Sequence, residues 1–89
     1  MAWKIEYDPR AVDDLNALSR DIRQEIVRYL ETRIALAGNP RLFGKSLRHG
    51  LFGLWRYRVR DYRIVCELRD GTLIVLVVGV GHRRDVYRR

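Results

Sequence analysis

Leu54-Trp55-Arg56-Tyr57-Arg58-Val59-Arg60-Asp61-Tyr62-Arg63-Ile64-Val65-Cys66-Glu67-Leu68-Arg69-Asp70-Gly71 is the stretch that decides the fold. Trp55, Tyr57 and Val59 alternate with Arg56, Arg58 and Arg60; Tyr62, Ile64, Cys66 and Leu68 then alternate with Arg63, Val65, Glu67 and Arg69. A period of two marks strands with one face on a core and the other in water. A tight turn at Arg60-Asp61 sets Val59 opposite Tyr62, Arg58 opposite Arg63 and Tyr57 opposite Ile64. Apolar side chains then meet on one face and arginines on the other. Asp70-Gly71 reads as a two-residue hairpin turn, which would place Leu68 opposite Leu73 and Cys66 opposite Val75. Leu73 to Val80 is apolar at every position but Gly79, the pattern of a central strand covered on both faces.

Upstream, Trp3-Lys4-Ile5-Glu6-Tyr7 also alternates, and Asp8-Pro9 ends it with a cap and a first helical residue. Ala11, Val12, Leu15 and Leu18 form the apolar stripe of a short helix reaching Ser19. Ser19 caps a second helix whose Ile22, Ile26, Leu30, Ile34 and Ala37 share one face, and Gly38-Asn39-Pro40 stops it. Residues 39–53, with Gly44, Gly50 and Gly53, read as a connecting loop. The order predicts an α+β fold: two N-terminal helices on one face of a small, largely antiparallel four-stranded sheet, β-α-α-β-β-β, with a short basic C-terminal tail. Residues 1–89 make one domain, since a chain of this size holds a single core.

Charge narrows the function. The net charge of +7 is uneven: residues 1–37 carry 6 basic and 7 acidic side chains, residues 38–89 carry 12 and 4. Sixteen of the 18 basic residues are Arg, whose planar fork suits phosphate, so a polyanion and above all nucleic acid is the expected partner. The register brings Arg56, Arg58 and Arg63 together beside Val65, Leu76 and Val78, and like charges across a ladder repel. A phosphate between Arg58 and Arg63 would relieve that repulsion; the alternative is that the arginines fan into solvent or pair with Glu67 and Asp61. Gly81 allows the tail to bend back toward this face. His82 can carry a proton at neutral pH, and Tyr87 lies among cations that favour phenolate; alternatively Tyr87 anchors the C-terminus and His82 is a surface residue.

Several classes drop out. Cys66 is the only cysteine, which rules out a Cys-based zinc site, and His49 and His82 are too few for a convincing metal centre. No Gly-rich phosphate loop precedes a helix, and no Ser, His and Asp order stands out. No metal and no cofactor are expected. The longest apolar run is far short of the roughly 20 residues a membrane span requires and the N-terminus lacks a signal-like run, so a cytoplasmic protein without membrane contact is expected.

Leu54 to Val65, followed about 20 residues on by Gly81-His82-Arg83-Arg84-Asp85-Val86-Tyr87, resembles the RelE branch of the RelE/ParE toxin superfamily; Asn39-Pro40-Arg41, Gly44-Lys45 and Leu47 share the likeness. The resemblance covers essentially the whole chain. It implies a RelE-like fold and a type II toxin that enters the ribosomal A site and cuts messenger RNA as a metal-independent endoribonuclease. It assigns RNA binding and charge neutralisation to Arg56 and Arg58, supporting charge to Arg63 and Arg83, and the terminal tyrosine role to Tyr87, with His82 the alternative proton carrier. Lysines stand at the positions of Arg56 and Arg58 in the best-known member; arginine exchanges protons poorly, so these two are expected to stabilise charge. Lys45, Arg48, Arg60 and Arg84 are the further residues expected to bind RNA. The implied partners are a cognate antitoxin, the ribosome and mRNA, with operator DNA reached only through the antitoxin complex. A ParE-like gyrase inhibitor and a non-enzymatic nucleic-acid-binding module remain as alternatives.

Overall fold

The alternation of Leu54 to Arg69 becomes the spine of a five-stranded sheet in the computed structural model, which describes residues 2–47 and 53–82. The strands are β1 (Lys4–Tyr7), β2 (Lys45–Ser46), β3 (Leu54–Val59), β4 (Tyr62–Arg69) and β5 (Ile74–His82), in spatial order β1-β5-β4-β3-β2. Only the β1–β5 pair is parallel. Two helices, α1 (Pro9–Asn16) and α2 (Arg20–Tyr29), lie between β1 and β2 in sequence and cover one face. The α+β class and the two helices match the sequence reading. The strand count is five, because Lys45–Ser46, read as loop, pairs with the start of β3.

Both helix starts obey capping chemistry. Asp8 Oδ1 accepts the Arg10 amide at 2.9 Å with Pro9 as the first helical residue, and Ser19 Oγ accepts the Ile22 amide at 3.4 Å. α1 stops at Asn16, short of Ser19, and α2 passes at Leu30–Ile34 into a π-helical turn closed by Ala35 N donating to the Leu30 carbonyl at 2.8 Å. The Trp3 amide donates to the Ala35 carbonyl at 2.7 Å, tying this end of the helix to the entry of β1. Ala11, Leu15, Ile26, Leu30 and Ile34 bury against Ile5, Tyr57, Val59, Ile64, Cys66, Val75, Val77 and Val80.

Pairing of β3 with β4 is as expected, Val59 with Tyr62, Arg58 with Arg63 and Tyr57 with Ile64. Arg60 accommodates the tight turn at φ 56°. The next turn departs from expectation. Residues 70–73 form a four-residue loop with Leu73 at φ 53°, so Leu68 pairs with Val75 and Cys66 with Val77, two residues along from the predicted partners. A shift of two keeps each side chain on its face. The Leu73 carbonyl accepts the Lys4 amide at 2.8 Å, so the longer loop reaches over to start β1.

Beyond Cys66 the register slips once more. Val65 pairs with Gly79 and Cys66 with Val77, leaving Val78 as the extra residue of a β-bulge. β1 ends at Tyr7, and from there α1 covers that edge of β5: the Asp14 carboxylate accepts the Val80 amide at 2.9 Å. An edge amide left unmet by β1 is thus paired by a helix side chain; an unpaired buried amide costs about 1–3 kcal/mol.

Burial makes several weak acids harder to ionise in the fold. Burial, with the Glu31 carboxylate nearby, pushes the Tyr7 phenol up to about 12 from its ordinary 10.0. Burial likewise raises Tyr29 and Tyr57 and, at the centre of the core, the Cys66 thiol. These groups bind their protons more tightly folded than unfolded. Their contribution to stability is therefore complete below about pH 8 and is lost as pH climbs through 10 toward 12. Urea unfolding monitored from about pH 8 to about pH 11 is expected to show a steadily falling midpoint; a flat profile would contradict the burial of these groups.

Candidate functional site

The sheet face away from the helices carries the cations. Lys45 on β2 stands directly opposite Arg56 on β3, and Arg58 on β3 directly opposite Arg63 on β4. Across the ladder, the first row continues through Val65 to Gly79 and the second ends at Gly81. The face is thus two like-charged pairs beside two glycines. The alternation alone placed Leu76 and Val78 there; the bulge at Val78 turns the strand one residue early and adds Gly79 and Gly81 to the row of cross-strand partners. Side chains vanish where β5 meets Arg63 and Val65, so the floor beside the arginines is backbone.

Like charges directly opposite in an antiparallel pair destabilise by a few tenths of a kcal/mol or more. Among the described residues neither Arg56 nor Arg58 has a carboxylate within ion-pair distance. Glu67 pairs instead with Arg69 at 2.8 Å on its own strand. Arg56 and Arg63 are half-buried and Arg58 is exposed, so the charges sit partly shielded at a surface open to a ligand.

A side wall rises next to them. Asn39 Oδ1 accepts the Arg41 amide at 3.1 Å and starts a single 3₁₀ turn, Pro40–Phe43. The turn is fixed from three sides. The buried Tyr57 hydroxyl donates to the Pro40 carbonyl at 2.9 Å, and the Arg41 guanidinium grips Asp70 through two 2.8 Å hydrogen bonds. That guanidinium also lies 5.5 Å from the ring centre of Trp55, and its hydrogen bonds hold the Asp70 carboxyl below its ordinary range. Gly44 then runs so close to β3 that a Cβ there would lie 2.8 Å from both the Arg56 carbonyl oxygen and the Tyr57 ring. Leu42, Phe43, Gly44, Lys45, Arg56 and Arg58 line an open groove of about 310 Å³.

The structure gathers Lys45, Arg56, Arg58 and Arg63 but not every expected residue. Arg60 sits at the β3–β4 turn with its guanidinium on the Glu25 carboxylate of α2, 2.9–3.0 Å away, and so is drawn to the helix rather than to the other cations. His82 pairs across the ladder with Tyr62, the rings meeting edge to face at 6.1 Å. Strand alternation puts that pair on the helix-covered face, opposite Arg63 and Gly81, so His82 does not join the arginine cluster as a proton carrier. Arg48, Arg83, Arg84 and Tyr87 lie outside the described residues, as does any return of the tail. Sequence reading missed Leu42, Phe43 and Gly79 as parts of the site. Asn39-Pro40, a cap followed by proline, was a usable sign of the 3₁₀ turn.

The chain is similar to known proteins along nearly its whole length. A family model described as the ParE toxin of type II toxin-antitoxin systems, parDE, matches residues 5–87. Toxin RelG of Mycobacterium tuberculosis is 30% identical over 89 residues, covering 100% of both chains. The mRNA interferase toxin RelE of Escherichia coli K12 is 28% identical over 91 residues, 98% of this chain and 92% of that one. The crystal structure of the toxin-antitoxin complex RelBE2 from Mycobacterium tuberculosis superposes with a TM-score of 0.85 at 26% identity, covering 96% of this chain and 95% of its counterpart.

The like-charged pairing of Arg58 with Arg63 has a measurable signature. Arg58→Gln is expected to stabilise the free protein by about 0.2–1 kcal/mol at low ionic strength, with the gain shrinking at about 1 M salt, in urea titrations. A loss of stability would show that Arg58 is held by an attractive contact.

Proposed function

Because the chain belongs to the ParE toxin family of type II toxin-antitoxin systems, we propose that this toxin is an endoribonuclease that cuts messenger RNA in the ribosomal A site. The observation that carries this reading is the pair of like-charged rows, Lys45 with Arg56 and Arg58 with Arg63, on one open sheet face beside glycine backbone. Such a face is built for a negatively charged strand, and the relatives named mRNA interferases support RNA as that strand.

The chemistry follows from the side chains available. The RNA 2'-hydroxyl gives its proton to a base, its oxygen attacks the adjacent phosphorus, and the bond from phosphorus to the 5'-oxygen breaks. The leaving oxygen takes up a proton, giving a 2',3'-cyclic phosphate and a 5'-hydroxyl end. Negative charge accumulates on the phosphorane-like transition state, and the guanidinium groups of Arg56, Arg58 and Arg63 supply fixed donors against it, each worth about 2–4 kcal/mol. Arg83 takes the same role and Tyr87 that of general base, in line with the resemblance. Guanidinium pairs neutralise phosphate directly, so the route needs no metal ion. A guanidinium is a poor proton carrier, so orientation of the RNA by the ribosome carries part of the rate and free RNA is a poor substrate.

The cognate antitoxin is the expected protein partner, because solved relatives are RelB–RelE complexes, and an acidic segment laid on the cationic face would silence it. A second reading, inhibition of DNA gyrase, is what resemblance to the ParE branch implies, and the matching family model carries the ParE name.

Cell-free translation of a defined message, with 5' ends mapped by primer extension, separates the two. Cuts at A-site codons that require ribosomes are expected, falling about 10²- to 10³-fold in rate for Arg56→Ala, Arg63→Ala or Arg83→Ala. Intact message under continuing translation, with loss of gyrase supercoiling instead, would overturn the proposal.

A further inference from the structure

Leu42 and Phe43 are large apolar side chains left 78% and 46% exposed, yet the turn that carries them is tethered by three side-chain hydrogen bonds. A loop free to relax would fold these side chains inward. Here the Tyr57–Pro40 hydrogen bond, the Arg41–Asp70 fork and the tight seat of Gly44 on β3 hold the turn in place. The anchors share one consequence: Phe43 is presented in the same groove as Lys45, Arg56 and Arg58.

An aromatic ring fixed beside a row of cations is the combination that binds single-stranded nucleic acid, the ring stacking on a base while the cations hold the backbone. We propose that the Phe43 ring is a stacking platform for an unpaired RNA base, with Leu42 extending its apolar edge and Lys45 and Arg56 holding the flanking phosphate. This deepens the ribonuclease reading and rests on it for the identity of the strand: the groove is a nucleotide subsite adjoining the scissile phosphate at Arg58 and Arg63. Phe43 then acts as a positioning residue that sets which nucleotide is seated and how firmly. The charge of the groove favours a polyanion, and its single ring flanked by three cations suits one base and its phosphates better than the broad apolar stripe of an amphipathic helix.

The test measures binding separately from cutting. A fluorescein-labelled single-stranded RNA hexamer carrying 2'-O-methyl groups at every position resists cleavage, and an abasic hexamer offers the same phosphates without bases. Phe43→Ala is expected to weaken the base-bearing hexamer about 5- to 100-fold and leave the abasic one unchanged, with the salt dependence of binding unaltered. Phe43→Tyr restores binding, whereas Phe43→Leu, which keeps apolar area without a ring, does not. Arg56→Ala weakens both hexamers and lowers the salt slope by about one. In the ribosome assay Phe43→Ala raises KM and shifts the distribution of cut codons more than it lowers kcat.

Equal binding of both hexamers by wild type and Phe43→Ala would overturn the platform while leaving the ribonuclease reading intact. A Phe43 effect on an acidic peptide but not on RNA would also overturn it, assigning the groove to a protein partner. Failure of mRNA cutting with the Phe43-dependent preference for base-bearing RNA preserved would sustain the base platform and remove the ribonuclease reading alone.

Discussion

One extra residue in β5 governs the site. Val78 is set between the pairs Val65–Gly79 and Cys66–Val77, and the slip reverses which side of the sheet the rest of the strand addresses. Before it, Val75 and Val77 point into the core; after it, Val80 does so and Gly79 and Gly81 face the arginines. The bulge survives because β1 ends at Tyr7 and Asp14 accepts the Val80 amide from there on. A short first strand, a helix carboxylate and two glycines thus act together to clear space beside Arg58 and Arg63.

That space matters because Arg56 and Arg58 have no carboxylate partner among the described residues. Arg41, Arg60 and Arg69 each pair with an acidic side chain, Asp70, Glu25 and Glu67. These pairs brace a loop, a turn and a strand. Arg56 and Arg58 have no such partner among the described residues, and their cross-strand neighbours Lys45 and Arg63 carry the same sign. The distinction between braced and unbraced arginines separates structural cations from functional ones more sharply than net charge does. Repulsion of a few tenths of a kcal/mol per pair is a modest load on a domain stable by about 5–15 kcal/mol, and it becomes favourable interaction energy once a phosphate enters.

The sequence was most readable where alternation and turn geometry agree. β3 and β4 carry apolar and arginine positions in strict succession, and the Arg60-Asp61 turn locks their register, so Arg56, Arg58 and Arg63 could be placed on one face from the letters alone. Asp70-Gly71 misled because the positive φ falls at Leu73 and the Asp70 side chain is drawn to Arg41, lengthening the loop to four residues. The bulge was hidden for a different reason. β5 is apolar on both faces, and such a strand carries no alternation that a one-residue slip could disturb. His82 was read as part of the tail beyond Gly81, whereas β5 runs through it and its face follows from counting through Val78. The 3₁₀ turn and β2 were lost among Gly and Pro, where composition signals a loop whether or not it is rigid.

The central claim is that the unbraced cations of the sheet face, and not the braced ones, hold the RNA phosphates. The most direct measurement is the arginine side-chain Nε–Hε NMR spectrum of the ¹⁵N-labelled toxin titrated with a non-cleavable RNA hexamer. The account predicts that Arg56 and Arg58 shift in saturable fashion while Arg41, Arg60 and Arg69 keep the positions of the free protein. Shifts confined to Arg41, Arg60 and Arg69, or none at Arg56 and Arg58, would contradict it.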